Sequence, residues 1–283
     1  MAQGTRSFFD THYFLIRRLH SLSGIVPIGV FLIAHLVTNS SIVWGNMGLR
    51  GERPELSHTQ GGVYYFQKEV SFINTSVPHL LLIEVTLWAA IAFHSVLGLV
   101  YARQGCFNTA RYAYQGNRRY AWQRITGYVG VVYIFYHVAT LRWGWDFLVP
   151  GGATWDHHAA ASTMALALRG GQEFTAAGLL VSAFYFVGVS MLVFHFANGL
   201  WTAAITWGLT VSAQAQKRWG YACAGLGAGL MGMAWMSVIG FATLSPAEAS
   251  KVERLLNAAK EPTAQTNPAP APAPGQQAAG VPS

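Results

Sequence analysis

One stretch of the chain, from Phe174 to Gln216, contains no Asp, Glu, Lys or Arg. A helix needs about 20 mainly apolar residues to cross the hydrocarbon core of a membrane, and this stretch is longer than that. The rest of the chain has the same character, since 52% of its 283 residues are hydrophobic and 10% are charged. Soluble domains have about 25% charged residues. This composition excludes an ordinary soluble enzyme and a disordered chain, and it predicts an all-α membrane protein.

Five apolar stretches are long enough to predict membrane-spanning helices, and together they define a membrane domain over residues 1–245. We place these spans at about 19–43, 78–102, 125–141, 176–210 and 221–244. The fourth stretch exceeds one bilayer thickness, so we expect its helix to tilt or to extend beyond the lipid. The remaining segment, 246–283, is rich in Pro and Ala and has little to bury. We expect it to be a disordered tail.

The basic residues are concentrated on one side of the predicted membrane domain. That side comprises the N-terminal segment and the loops 103–124 and 211–220, and it carries ten Lys or Arg residues against one acidic residue, Asp10. The loops of the other side carry five basic and six acidic residues. The positive-inside rule therefore predicts a cytoplasmic N-terminus and an external C-terminus. The net charge of +7 thus indicates topology and not nucleic-acid binding.

Four of the five predicted spans contain a histidine away from their ends, namely His35, His94, His137 and His195. The rise of 1.5 Å per residue gives the depth of each histidine below the outer end of its span. The depth is about 14 Å for His35 and about 8 Å for His137. It is about 24 Å for His94 and about 33 Å for His195. Two pairs at two levels of a four-helix bundle suit two flat macrocycles, each with two axial imidazole ligands. Zinc would require three or four ligands at one level. A proton relay would require interleaved carboxylates, and Glu84 is the only one inside a span.

Several short motifs surround these histidines. They are RRLHS (17–21), FLIAHL (31–36), FHSVLG (93–98), QRITG (123–127), YHVATLRW (136–143) and FHFANGLWTAAITWG (194–208). In order and spacing, the motifs resemble those of the dihaem cytochrome b membrane anchor of succinate dehydrogenases and fumarate reductases, the type with five helices in a single anchor chain. The resemblance extends from about Phe9 to about Leu244.

This resemblance implies a protein of the bacterial cytoplasmic membrane whose first four helices form a bundle around two b haems. His35 and His137 would ligate the iron of the outer haem, and His94 and His195 that of the inner haem. The resemblance also implies a quinone, usually menaquinone, and two soluble partners, a flavoprotein and an iron–sulfur protein. In such a complex II of the tricarboxylic acid cycle, the anchor transfers electrons between the quinone and the iron–sulfur subunit. The dicarboxylate chemistry belongs to the partner subunits.

Charged and polar residues near the span ends are further candidate site residues. The candidates for binding the propionates of the inner haem, at the cytoplasmic end, are Arg17, Arg18, His20, Ser21 and Arg124. Arginines at this position equally serve as topology anchors. At the outer end, Glu84 lies about 9 Å below the start of its helix. We interpret Glu84 as a proton-transferring residue at an outer quinone site, with a structural carboxylate as the alternative.

Two other functions stay open on the sequence alone. A dihaem cytochrome b could also anchor a hydrogenase or a formate dehydrogenase, and a nickel or molybdenum subunit in the purified complex would identify that case. A haem-free transporter could use the histidines as a proton relay. The scarcity of carboxylates in the spans and the lack of paired discontinuous helices disfavour the transporter.

Overall fold

The computed structural model describes residues 11–48, 60–106 and 108–259, which contain helices and no strand. The α-helices are α1 (Tyr13–Ile25), α2 (Pro27–Gly48), α3 (Gln60–Ser76), α4 (Leu80–Gln104), α5 (Gln115–Leu141), α6 (Ala160–Arg169), α7 (Ala176–Thr206), α8 (Ala213–Thr243) and α9 (Pro246–Ala258). Two short 3-10 helices, Asp146–Leu148 and His157–Ala159, lie between α5 and α6. The prediction of an all-α protein is confirmed.

Four helical stretches of the described chain are long and apolar enough to cross a membrane. They are Tyr13–Met47, Leu80–Gln104, Ala176–Thr206 and Ala213–Thr243, and they correspond to the first, second, fourth and fifth predicted spans. The helix α5 is not among them, because its apolar part is short and also contains several Tyr residues and His137. Its apolar part coincides with the predicted third span, which therefore stays a prediction.

The first of these stretches is divided into two helices at Val26. The helical stretch begins at Tyr13, and Pro27 falls in its middle. Proline lacks an N–H donor and its ring clashes with the preceding turn, so α1 ends at Ile25 and α2 begins at Pro27. The two halves have different neighbours: α1 packs against α4 and α7, and α2 packs against α3 and α8.

Three helices outside the predicted spans, α3, α6 and α9, pack together at one end of the bundle, and we call them the capping layer. The predicted loop 45–77 thus contains a helix. Residues 246–258, for which we expected disorder, also form a helix, while 260–283 lie outside the described residues. Ser245 caps the N-terminus of α9 by accepting a hydrogen bond from the Glu248 N–H, and one face of α9 buries Ala249 and Val252. The proline-rich composition of the whole segment concealed this amphipathic face.

The N-terminus of α6 is completed by side chains from two other helices of the capping layer. Gln67 of α3 accepts a hydrogen bond from the Ala160 N–H at 3.0 Å. Glu253 of α9 accepts hydrogen bonds from the N–H groups of Ala161 and Ser162 at 2.7 and 3.1 Å. The first N–H groups of a helix have no partner within that helix. Here they are satisfied by Gln67 and Glu253, both of which are almost completely buried.

Candidate functional site

A large cavity lies within the bundle, between α1, α2, α4, α5 and α7, and all four span histidines line it. Its volume of about 1440 Å³ exceeds the roughly 300–1,000 Å³ of a pocket for one small ligand. The space exists partly because α4 packs loosely. Of the residues of α4, all of which the structure describes, only Ala90 and Ala102 are buried.

The inner pair consists of His94 on α4 and His195 on α7. Their ring centroids are 6.1 Å apart and the ring planes are 84° apart. Nδ1 of His94 lies 2.9 Å from the carbonyl oxygen of His20, and Nδ1 of His195 lies 3.0 Å from that of Gln123. A carbonyl oxygen can only accept, so each Nδ1 carries the proton and donates. In the neutral ring, Nε2 is then left with its lone pair, as a metal ligand requires.

A third histidine, His20 of α1, stacks on the ring of His94. The two ring centroids are 4.1 Å apart and the planes are inclined by 13°. Nδ1 of His20 is buried and has no hydrogen-bond partner within the described residues. The structure therefore brings His20 to the inner pair itself.

The outer pair consists of His35 on α2 and His137 on α5. Their ring centroids are 5.8 Å apart and the planes are 87° apart. Aromatic rings surround them, since Phe31 stacks on His35 and Tyr133 on His137. Nδ1 of His137 is buried, and no residue in the described part of the chain forms a hydrogen bond with it. This pair is thus held by packing, whereas the inner pair is held by hydrogen bonds.

Both pairs have the spacing of axial ligands on opposite sides of a metal ion. With metal–nitrogen bonds of about 2 Å, two such imidazole rings have centroids roughly 6 Å apart. Within residues 11–48, 60–106 and 108–259, no three His, Cys, Asp or Glu side chains are grouped so as to hold one metal ion. The chemistry of the donors therefore fits a macrocycle that supplies its own equatorial ligands, with two imidazoles at each level.

Glycines on neighbouring helices allow the inner rings to lie close against the backbone. A Cβ atom at Gly24 of α1 would be 2.5 Å from Cε1 of His94, and one at Gly127 of α5 would be 3.1 Å from Cε1 of His195. Any larger residue at Gly24 would displace the His94 ring. The backbone at Gly24 and Gly127 therefore forms part of the seat of the two inner rings.

Comparison with known proteins gives one informative relative. The chain is 30% identical over 205 residues to the succinate dehydrogenase cytochrome b558 subunit of Bacillus subtilis (strain 168), and the alignment covers 72% of this chain and 85% of that protein. The chain belongs to the succinate dehydrogenase cytochrome b family. No family model and no solved structure matches it. The prediction of a succinate dehydrogenase cytochrome b is confirmed, and so is membrane localisation in its coarse form, which the apolar helices also support. The two haems and the five spans stay predictions.

In this cytochrome b family member, the residues proposed to bind propionates do not all lie at the cavity. Arg17, His20, Ser21 and Arg124 line it. Arg18 does not, because its guanidinium lies over the ring of Trp207, 5.8 Å from the centroid.

Two of these arginines have hydrogen-bond partners on neighbouring groups. Arg17 donates to the Tyr13 hydroxyl at 2.8 Å, and Arg124 donates to the Gly105 carbonyl at 2.8 Å. The first bond lies within α1, and the second joins α5 to the residue that follows α4. Tyr13 and Gly105 also line the cavity. The two guanidinium groups are thereby held at its basic end.

At the other end of the cytochrome b cavity, Glu84 forms an ion pair with Arg142. The two side chains are joined by two hydrogen bonds of 3.0 and 3.2 Å. The side chain of Glu84 is 30% exposed. Next to this pair, Trp88 stacks on Trp143 with the ring centroids 5.8 Å apart. The carboxylate that the sequence singled out is therefore paired with an arginine and partly open to its surroundings.

Sequence reasoning missed the role of Gln123, which binds the helix of His195. Its Nε2 donates to the His195 carbonyl at 3.1 Å, and its Oε1 accepts from Asn198 at 2.7 Å. The backbone carbonyl of Gln123 also accepts from His195 Nδ1. Gln123 therefore contacts His195 twice and the same helix once more through Asn198. The available signal was its place in the QRITG motif of the cytochrome b family, one residue before Arg124.

Proposed function

We propose that this chain is the membrane anchor of a succinate–quinone oxidoreductase (complex II), which transfers electrons between a membrane quinone and the iron–sulfur subunit through two haem b groups. The observation that carries the proposal is the pair of facing histidines at each of two levels in one cavity. The ring separations of 6.1 and 5.8 Å suit two axial ligands on each iron. The name of the Bacillus subtilis relative, a succinate dehydrogenase cytochrome b558 subunit, supports the same function.

The four span histidines would hold the haems, His94 and His195 the inner one, His35 and His137 the outer one. At the inner level, the backbone carbonyls of His20 and Gln123 accept from Nδ1 and so favour the tautomer that leaves the lone pair on Nε2. A hydrogen bond of this kind also raises the basicity of the ligand. Each haem, when bound, supplies one-electron transfer at its iron. The apolar helices exclude water from it.

Propionate binding is proposed for the basic end of the cavity. Arg17, His20, Ser21 and Arg124 lie there on the cavity wall, and anionic propionates need donors of this kind at the membrane interface. Arg18 remains a weaker candidate, since its guanidinium packs on Trp207. It fits better as an anchor of α1 at the membrane surface.

A quinone site is proposed at the opposite end, beside Glu84. Reduction of a quinone consumes two protons with two electrons, so the site needs a residue that exchanges protons with water. The Glu84 carboxylate is within the cavity wall and partly exposed, and it would accept or deliver that proton at its carboxylate oxygens. Arg142 holds the carboxylate in place through two hydrogen bonds. The expected quinone is menaquinone, as the family resemblance implies.

The proposed topology has five spans, with α5 as the third, a cytoplasmic N-terminus and an external C-terminus. The basic residues of 103–124 and 211–220 would then face the cytoplasm, where they offer a docking surface for the flavoprotein and iron–sulfur subunits. A reporter that requires export should be active when fused after Leu244 and silent when fused within 103–124. The reverse pattern would invert the orientation of the two haems and of the docking surface.

The decisive experiment is purification of the native complex, with a reduced-minus-oxidised spectrum, the haem-to-protein ratio and identification of the subunits. We expect b-type haem bands, two haems per chain, and a flavoprotein with an iron–sulfur protein. A sample without haem would identify a transporter, and a nickel or molybdenum partner would identify a different dihaem anchor. Either result would overturn the proposal.

A further inference from the structure

A second, smaller groove lies on the side of the bundle, between α7 and α8. Its volume is about 460 Å³. One wall is formed by Phe194, Ala197 and Trp201 of α7, and the other by small residues of α8, among them Ala224 and Gly227. The four span histidines and Glu84 do not line this groove, whereas Arg119, Asn198 and Trp201 line both the groove and the large cavity. The lining of the groove is almost entirely apolar.

The small residues of α8 create the groove and also give it length. Its lining extends along α8 from Gly220 to Trp235, a distance of about 22 Å at the helical rise per residue. One leaflet of the hydrocarbon core is about 15 Å thick, half of the whole core. Gly232 faces open space, with no atom within 4 Å of the Cβ it lacks. The groove is therefore long and open enough for an extended hydrocarbon chain.

A cation lies at one end of the groove. Arg119 of α5 is part of the lining, beside Trp201 and Gly220, and its guanidinium is 4.4 Å from the Trp201 ring centroid. Within the described ranges, no hydrogen bond or ion pair engages this guanidinium. The adjacent loop segments 103–124 and 211–220 contain further Arg and Lys and no acidic residue. The mouth of the groove is therefore suited to an anion.

The polar groups along the groove have partners already. Asn198 donates to Gln123 at 2.7 Å, and the indole N–H of Trp235 donates to Ser190 at 2.9 Å. A neutral quinone head group would not supply the negative charge that the Arg119 end favours. A molecule with one anionic group and a long apolar chain satisfies both the charged mouth and the apolar walls.

We propose that this groove binds an anionic phospholipid, with one acyl chain between α7 and α8 and its phosphate at Arg119. The guanidinium can form two parallel hydrogen bonds with a phosphate. The anionic lipids of a cytoplasmic leaflet are attracted to basic groups at that surface, which agrees with the basic loops beside the groove. The site is independent of the haem ligands and of Glu84.

The test uses the purified complex in neutral detergent and counts bound lipid by native mass spectrometry. Phosphatidylglycerol and phosphatidylcholine with identical acyl chains are titrated in parallel. The variants are Arg119→Gln, which removes the charge, and Gly232→Leu, which fills the groove. Their controls are Arg118→Gln, one residue away from the groove lining, and Gly229→Leu, which also faces open space but does not line the groove.

We expect one phosphatidylglycerol to bind more tightly than phosphatidylcholine in the wild type and in both controls. The Kd for phosphatidylglycerol should rise about tenfold in Arg119→Gln, which corresponds to about 1.4 kcal/mol, and binding should be lost in Gly232→Leu. Equal binding of the two lipids by the wild type would overturn the proposal. So would unchanged binding in both groove variants.

Two other occupants of the groove are distinguishable in the same samples. A loss of co-purified quinone in Gly232→Leu would assign the groove to quinone. A halved mass of the complex in that variant would identify an interface between two copies of this chain. Either result would also overturn the lipid proposal, whereas the haem spectrum is expected to stay unchanged in Gly232→Leu.

Discussion

The inner and outer histidine pairs have nearly the same ring separation, 6.1 and 5.8 Å, yet they are held by different means. At the inner pair, backbone carbonyls accept hydrogen bonds from Nδ1 of both rings. At the outer pair, aromatic rings pack around the histidines, and Nδ1 of His137 has no hydrogen-bond partner among the described residues. The same separation between two facing imidazole rings can thus be set either by hydrogen bonds or by aromatic packing. The two pairs should therefore respond differently to substitution.

The largest expected effect comes from removing one imidazole. His94→Ala or His195→Ala should abolish binding of the inner haem and spare the outer one, and His35→Ala or His137→Ala should do the opposite, because each iron needs both axial ligands of its pair. Haem content and a redox titration of each variant measure this. His158→Ala, in an exposed turn, is the control. If His35→Ala and His94→Ala removed the same redox component, the pairing would be wrong.

A smaller effect, confined to the inner pair, is expected from Gly24→Ala. The new Cβ would lie 2.5 Å from His94 Cε1, so the ring must move and weaken its hydrogen bond to the His20 carbonyl. We expect partial loss of inner haem with the outer haem retained, measured by the same titration. Gly225→Ala is the matched control, since nothing lies within 4 Å of its Cβ position. An equal loss of both haems would show that the two levels are not independent.

At the outer end, Glu84→Gln should lower quinone-linked turnover without changing haem content. The amide keeps the shape of the side chain but cannot exchange the proton, and general acid–base groups typically contribute 10²–10⁴-fold to rate. Turnover with quinone is compared with dye reduction by the soluble subunits, which should persist. Glu173→Gln, at an exposed loop position, is the control. Unchanged quinone turnover across the pH range would leave Glu84 as a structural partner of Arg142.

The smallest effect concerns the capping layer and its pH dependence. Burial raises the pKa of the Glu253 carboxyl, although hydrogen bonds from Ser162 and Ala161 oppose this rise. The folded state therefore binds the proton more strongly than the unfolded state. The capping layer should lose stability as the pH rises from the ordinary Glu pKa of about 4.3 through the raised folded value.

The Glu253 carboxyl also provides a pair of variants that separate charge from hydrogen bonding. Glu253→Gln should remove the pH dependence and keep α6 protected. Glu253→Ala should cost about 1–3 kcal/mol, because the N–H groups of Ala161 and Ser162 lose their acceptor. Hydrogen exchange of residues 160–169, measured between pH 4 and pH 8, reports both effects. Identical pH profiles for Glu253→Gln and the wild type would exclude the carboxyl as the titrating group.

The sequence predicted the parts of the molecule that depend on local pattern and helical rise. Apolar runs gave four helices that can cross a membrane, and counting residues along them placed His35 level with His137 and His94 level with His195. The structure brings the same residues into contact. These predictions succeeded for one reason. Each span crosses the membrane in one direction, so the number of residues from the end of a span gives the depth of a side chain in the membrane.

The features that sequence reasoning missed depend on partners far apart in the chain. The hydrogen bonds of Gln67 and Glu253 with α6, and the pairing of Glu84 with Arg142, give no local signal. The helix α9 was hidden by the composition of the tail that follows it.

The capping of α6 has a consequence for biogenesis. Two of its first N–H groups depend on Glu253, which the ribosome adds only after all the predicted spans have been made. Until that residue arrives, α6 has an incomplete N-terminus and is less stable over the end of the cavity that Met164 and Leu168 line. Completion of that end of the cavity therefore depends on a residue that is synthesised after every predicted span.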